Sequence, residues 1–324
     1  MTTRKGVFAG LALMALACFA PFVAAEYPER QIQVVVPYPP GGSVDVLMRL
    51  VGPKLTAVWG QPILIENRAG AGGSVGAAYV AKARPDGYTL LVATNSPFTT
   101  NPVFVPNIGY DPVRDFEPVI VVGESSLFLL VNPKLPVKSV AQLIALAKQK
   151  PKNLNAGTSG NGTTAHLSLA QFNKMTGVDI VPVPYKGGAP SLIAAVTGEV
   201  QMSFIDVVPA MQFIRDGRLR VLASTGLRRT RLLPDVPTLA ESGLPGFNVG
   251  VWNGMVAPKG TPKDIVQKLN SEIAKIFRDP GFRKQLTDMG IDPLSNTPEE
   301  FADLLSKEIP RWRDIVTQAG LKIE

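Results

Sequence analysis

Residues 32–60 read IQVVVPYPPGGSVDVLMRLVGPKLTAVWG, and this stretch decides the fold. Ile32–Val36 is a short apolar run rich in β-branched residues and ended by prolines and glycines, the pattern of a buried strand. Beyond the glycines, Val44, Leu47, Val51, Leu55 and Val58 recur at helical spacing. Ser43 is placed to cap that helix, and Pro53 is expected to kink or interrupt it. Between strand and helix lies the loop VPYPPGG, Val36–Gly42. Such a loop can cradle a phosphate, hold another anion, or simply connect.

The same alternation repeats outward. Ile63–Ile65 is a second strand, followed by ENRAGAGGSVGAAYVAKA, a glycine-rich loop that opens a helix near Ser74. Tyr88–Ala93 is a third strand after the turn Pro85–Gly87. This order implies a parallel sheet with helices on its faces. Residues 96–118, SPFTTNPVFVPNIGYDPVRDFEP, read as a long irregular crossing. Val119–Val122 and Leu127–Val131 follow as two β-rich runs separated by Gly123–Ser126. A second α/β series then begins with a capping box at Ser139 and Gln142. It continues through GTSGNGTTAHLSLA (157–170), a strand at Ile180–Val183, PYKGGAPSLIAAVTGE (184–199), and strands at Met202–Ile205 and Leu219–Ala223. Two amphipathic helices close the chain, one from Thr261 to Phe277 and one after Thr297, with Pro310 expected to kink the latter. The expectation is two α/β lobes, with the helical tail returning to the first.

A length of 324 residues suits two such cores, and 18% charged with 45% hydrophobic residues describes a folded chain. The first 25 residues are a separate object. Arg4-Lys5 precede an apolar run from Gly6 to Ala24 that ends in Val23-Ala24-Ala25, which reads as a signal peptide with export to the periplasm. The only cysteine, Cys18, lies inside that run, leaving the exported part without disulfide, thiolate or cysteine metal site. Removing Arg4 and Lys5 lowers the net charge from +7 to +5, and the remaining cations are scattered. That pattern argues against nucleic acid as a partner and weakly favours anionic small ligands.

VPYPPGG has an echo at VPYKGG, Val183–Gly188, and each follows a strand and precedes a helix in its own lobe. The echo is either the ordinary reuse of proline and glycine in turns or a pair of loops facing each other across a cleft. In open α/β sheets, ligands bind at the carboxyl ends of strands, where these loops lie. Helix N-termini there offer unpaired N–H groups to an anion. A nucleotide is disfavoured, because no GxxxxGK[ST] occurs and Gly70–Gly76 misses the dinucleotide spacing.

Catalysis finds little support. His166, the only histidine, sits in a first helical turn, where a structural role is favoured. Neither HExxH nor GxSxG occurs, metal ligands do not cluster, and no cofactor is implied. Ser159 in GTSGNG has only Lys186 as a nearby base by pattern. Recognition remains. Ser43, Asn95, Ser96, Thr158, Ser159, Thr163 and Tyr185 can supply hydroxyls and amides to a carboxylate. Asp45 and Asp206 can accept from a ligand donor or equally brace their own turns.

Six stretches carry a resemblance along the whole exported chain: YPERQIQVVVPYPPGGSVDVLMR, GQPILIENRAGAGGSVGAAYVAKARPDGYTLLVAT, DFEPV, GTSGNGTTAHL, VPYKGGAPSLIAAVTGEVQMSF and LPDVPTLAESG. In these the sequence resembles the Bug-type periplasmic solute receptors of tripartite tricarboxylate transporters. The resemblance implies an α/β, two-lobed periplasmic binding protein of type II-like architecture. A ligand cleft lies between the lobes, and a helical C-terminal tail packs on lobe 1. Residues 26–123 and 226–324 would form lobe 1 and 124–225 lobe 2, after a signal peptide over 1–25. The ligand would be a small carboxylate, held by Tyr38, Pro39, Gly42, Ser43 and Asn95 on one wall. Thr158, Ser159, Thr163, Tyr185, Lys186, Gly187 and Asp206 would form the other. The implied partner is the integral-membrane permease of such a transporter, with the receptor a monomer and not an enzyme. A sensor protein as partner, or a hydrolase using Ser159, are the alternatives. The segment NSPFTTNPVF departs from any fixed pattern, so the ligand's identity is not readable there.

Overall fold

The computed structural model describes residues 27–105 and 107–318. The expected signal peptide and Cys18 lie outside the described residues. Strand β1 (Ile32–Val36) is flanked in parallel by β2 (Ile63–Asn67) and β3 (Thr89–Thr94). Apart from Gln33, its side chains are apolar on both faces because both faces are covered. Val34 and Val36 join a core built with helices α1 (Ser43–Trp59), α8 (Lys263–Arg278) and α9 (Pro280–Asp288). Val35 points the other way, into a core shared with α2 (Ser74–Ala81). Helix α1 runs through Pro53 without a break. The bond that Pro53 cannot make would go to the carbonyl of exposed Arg49, on the helix's solvent side, where water can replace it.

Residues 96–118 are more ordered than their sequence suggests. A wide helical turn over Ser96–Thr100 leads into the short helix α3 (Asn101–Phe104). The turn buries Phe98, which stacks on Trp252 with ring centroids 5.9 Å apart and meets Phe116 and Phe301 edge-on.

The two β-rich runs that follow are one strand. Strand β4 (Phe116–Val131) spans 16 residues and passes through Gly123–Ser126 without a turn. Pairing overrides the local turn signal here. On one side Gly123–Ser126 faces Asn253–Gly250 of β9 (Gly250–Pro258), and on the other Glu124 exchanges both backbone hydrogen bonds with Asp292. Past Ser126 the partners of β4 change. Leu127–Val131 lies between β7 (Met202–Asp206) and β8 (Arg220–Ser224). The first sheet therefore runs β2-β1-β3-β9-β4. The second continues from β4 through β7 to β5 (Asn155–Thr158) and β6 (Val181–Pro184).

Helices α4 (Val140–Gln149), α5 (Thr164–Thr176), α6 (Gly188–Thr197) and α7 (Val207–Arg215) cover the second sheet. One of its faces buries Leu129, Val131, Phe172 and Phe204, the other Phe128, Leu130, Leu192 and Leu219. The molecule is thus the expected two-lobed α/β fold, with β4 and β9 joining the lobes. Beyond β8, Leu239, Leu244, Phe247 and Val249 join the core cluster that holds Leu129 and Phe204, and Val249 N–H bonds Thr225 O at 2.9 Å. The tail does more than return to lobe 1. Helices α8 and α9 pack there, and α10 (Pro298–Gln318) begins there with Phe301 and Leu305. The same helix continues through Pro310 to bury Trp312 and Val316 in the cluster that holds Leu127, Val249 and Val251.

Candidate functional site

The loop VPYPPGG is held from below. Asn67 Nδ2 donates to Tyr38 O at 3.0 Å and to Asp45 Oδ1 at 3.0 Å, and Gly41 N–H donates to Asp45 Oδ2 at 2.9 Å. Arg49 grips both Asp45 oxygens, at 2.9 and 3.0 Å. Burial by itself would raise the Asp45 carboxyl, but these donors from Arg49, Gly41 and Asn67 outweigh it and hold it below its ordinary value of 3.8. Asp45 is a brace for the loop. A depressed folded value means that its stabilisation is complete above pH 3.8 and is lost as acid titrates it in the fold. Asp45→Asn should therefore melt below the parent protein at pH 7, with the gap closing under acid; equal melting at pH 7 would refute the brace.

The echo loop meets this one directly. A β-carbon at Gly187 would lie 2.7 Å from Pro39 Cδ, so the two loops touch across the gap between lobes. A second closure point joins the glycine-rich loop at Gly70–Gly76 to GTSGNG. Thr163 Cγ2 sits 2.9 Å from where a Gly72 β-carbon would be. These glycines serve close packing between lobes, which accounts for them without a phosphate. Thr163 caps α5 by accepting from His166 N–H. His166 Nδ1 in turn accepts from Gly162 N–H at 3.2 Å, and burial lowers its pKa. The Nδ1 lone pair is thus engaged by the backbone, which places the ring's own proton on Nε2.

Behind these contacts lies a narrow cleft, partly open to solvent. The N-terminal turns of four helices reach it: Gly42–Val44 of α1, Thr163–Ala165 of α5, Gly188–Ala189 of α6, and Asp206 with Pro209 of α7. Their partial positive ends converge on one volume, although Thr164 N–H is already bonded to Ser96 Oγ, His166 N–H to Thr163 Oγ1, and Pro209 has no N–H to give. Thr94 and Ser96 add hydroxyls, and Leu127, Ile205 and Val251 form an apolar floor. Tyr38 shares a 2.6 Å hydrogen bond with Thr94, and burial pushes its hydroxyl far above the ordinary value, so it stays protonated.

Asp206 is the only charged residue in this lining. Its Oδ2 accepts from Ser43 Oγ at 2.9 Å and its Oδ1 from Ser125 Oγ at 2.8 Å. Burial raises its pKa, and those two donors pull against the rise. The Ser43 bond crosses from the first lobe to the second.

Of the residues expected on the walls, the structure brings Tyr38, Pro39, Gly42, Ser43, Ser159, Thr163 and Asp206 to the cleft. It does not bring Asn95, Thr158, Tyr185, Lys186 or Gly187 into the lining. Asn95 is fully buried behind the wall, where its amide bonds Gly250 O at 3.3 Å and Thr164 Oγ1 at 2.9 Å. Thr158 is buried at the end of β5 with its hydroxyl unpaired. The Tyr185 hydroxyl turns away to Glu199 at 2.7 Å, Lys186 is exposed, and Gly187 is the contact to Pro39. Nothing in the sequence marked Leu127, Ile205, Val251 or Ser125 as part of the site, because strands carry no loop signature. Thr164 and Ala189 were within reach, since each follows directly on a glycine or threonine already noted. Among the described residues no group of His, Cys, Asp and Glu could hold a metal ion, and no helix is long and apolar enough to cross a membrane.

Comparison with known proteins agrees with this architecture. Residues 47–321 match the family model described as tripartite tricarboxylate transporter family receptor. The protein BugT of Bordetella pertussis is 36% identical over 99% of both chains. Among solved structures, Rpa4515 of R. palustris with adipate superposes with a TM-score of 0.89 at 39% identity, over 91% of this chain and 99% of that one. MatC (Rpa3494) from Rhodopseudomonas palustris with bound malate does so with a TM-score of 0.85 at 36% identity, over 90% and 100%. With a family model over most of its length and relatives above 30% identity end to end, the chain belongs to the tripartite tricarboxylate transporter receptor family.

Proposed function

We propose that this chain is a periplasmic receptor that closes its two lobes on a small carboxylate and delivers it to a membrane permease. The observation that carries the reading is the convergence of four helix N-termini from both lobes on a cleft with no cationic side chain. Such a site holds an anion through amides and hydroxyls, each bond to a charged group returning about 1.5–3 kcal/mol. At that rate about three to six of them amount to micromolar affinity, about −8 kcal/mol. Related structures that contain adipate and malate support the same ligand class.

The lobes pivot where β4 changes partners, at Ser126–Leu127, and the chain recrosses at Val249–Gly250. Thr225 pins the pivot: it donates its N–H to Leu127 O at 2.9 Å, and its hydroxyl accepts from Leu127 N–H at 3.0 Å. We thus assign residues 226–249, expected in the first lobe, to the second.

Binding without chemistry fits the site. Ser159 lies in the cleft, but the one histidine does not line it, and its Nδ1 is engaged by Gly162 N–H. A thermal-shift and calorimetry panel of mono-, di- and tricarboxylates, read beside product analysis, tests the proposal. Saturable binding with the ligand recovered intact is expected; turnover, or no carboxylate bound at millimolar concentration, refutes it. Loss of uptake in a deletion strain would identify the permease role, and loss of a transcriptional response with uptake intact would identify a sensor's partner instead.

A further inference from the structure

We propose that Asp206 restricts the ligand to carboxylates that also carry a hydrogen-bond donor, a hydroxyl or an ammonium group, on the carbon chain. The inference rests on the carboxylate reading above and narrows it.

The cleft offers an anion amides and hydroxyls at its helix N-termini, but its one carboxyl, Asp206, presents acceptor oxygens: both take a hydrogen bond from a serine, the pattern of an ionised group, although burial pushes the other way. No Lys, Arg or His among the lining residues offsets it. A buried carboxylate without a matching cation is costly, and its place in the wall calls for something to face it. Ser43 and Ser125 each donate one hydrogen bond to it, one per oxygen. A carboxylate has about four acceptor positions, so roughly half of its capacity is left over. The two serines also fix its orientation from the first lobe and the hinge strand, so the remaining lone pairs are set in place before a ligand arrives. Asp45, the other acid that the sequence offered for such a role, has its oxygens taken by Arg49, Asn67 and Gly41. Of the two acids, only Asp206 lines the cleft with acceptor capacity to spare.

The consequence is selection by both attraction and repulsion. A ligand hydroxyl or ammonium placed against Asp206 satisfies it. A second ligand carboxylate placed there meets a like charge, and a bare methylene strands its lone pairs. A site built to accept from a ligand donor rejects the analogue that lacks it more strongly than any apolar fit could.

Two matched series test this by calorimetry on the full exported chain: propionate, lactate and alanine, and succinate, malate and aspartate, with adipate as a longer donor-free acid. In the series whose length fits, the hydroxylated or aminated member should bind at least tenfold more tightly than its plain counterpart, about 1.4 kcal/mol. In Asp206→Asn that preference should shrink toward parity, while the plain acid's affinity changes less than the ratio. Plain acids, adipate included, binding as tightly as both donor-bearing partners would overturn the inference and leave the carboxylate reading standing. So would a preference that survives Asp206→Asn. Failure of every carboxylate to bind the native protein would remove the carboxylate reading itself, and this inference with it.

Discussion

Gly187→Ala is expected to weaken carboxylate binding by one to two orders of magnitude while leaving the protein folded. Gly187 has φ of +129°, a conformation that side chains rarely adopt, and its β-carbon would stand 2.7 Å from Pro39 Cδ. Backbone strain of this kind costs about 1–3 kcal/mol. The collision adds to it, because Pro39 cannot easily yield: its loop is tied down by Asn67 on the Tyr38 carbonyl and by Asp45 on Gly41. The nearest relief is for the two loops to stay apart, which leaves the cleft open to water. Every 1.4 kcal/mol withheld from closure is a tenfold loss in affinity. Gly217→Ala is the control, since Gly217 also has positive φ but nothing within 4 Å of its would-be β-carbon. Pro39→Ala combined with Gly187→Ala removes the collision and should recover part of the affinity. Undiminished binding by Gly187→Ala, measured calorimetrically, would show that the loops need not touch.

The second large effect concerns stability. Trp312→Ala should cost about 3–5 kcal/mol, the usual range for emptying a buried tryptophan site. Trp312 is the largest of the fully buried side chains, at 1% exposure, and its indole N–H donates to Glu308 at 2.8 Å. A domain's whole stability is about 5–15 kcal/mol, so the loss is a large share of it. Trp312→Phe refills most of the volume and gives up only the hydrogen bond, so it should lie about 1 kcal/mol below the parent. Urea denaturation reads both. Equal midpoints for parent and Trp312→Ala would mean that the end of α10 is not part of the core.

Much of this was legible in residues 32–60 and their echoes. The β1-loop-α1 unit formed as its periodicity required, and the same grammar located β2, β3 and the loops of the second lobe. What escaped was set by partners distant in sequence. Gly123–Ser126 reads as a turn until β9 and Asp292 flank it on both sides. Phe98 sits among prolines and threonines, yet the stack on Trp252 holds it in a helical turn. Asp45 and Asp206 were indistinguishable as acids next to loops, because their roles depend on Arg49 in one case and on Ser125, 81 residues away, in the other. The glycines show the same limit. Gly42 has φ of −76° and only an ordinary 3.7 Å contact awaiting a β-carbon, whereas Gly187 admits nothing larger than hydrogen. The doublets look alike in the sequence; what separates them is the opposite wall.

Strand β4 has a consequence beyond the pivot it provides. Its 16 residues complete both sheets, and α10 lays apolar side chains into the cores of both lobes. Neither lobe can melt alone without stripping a strand from its neighbour and baring a stretch of that neighbour's interior. The two lobes, proposed above to close on a ligand, are thus bound to a single fate on heating. The length of chain that would serve as their pivot is also what makes their unfolding cooperative.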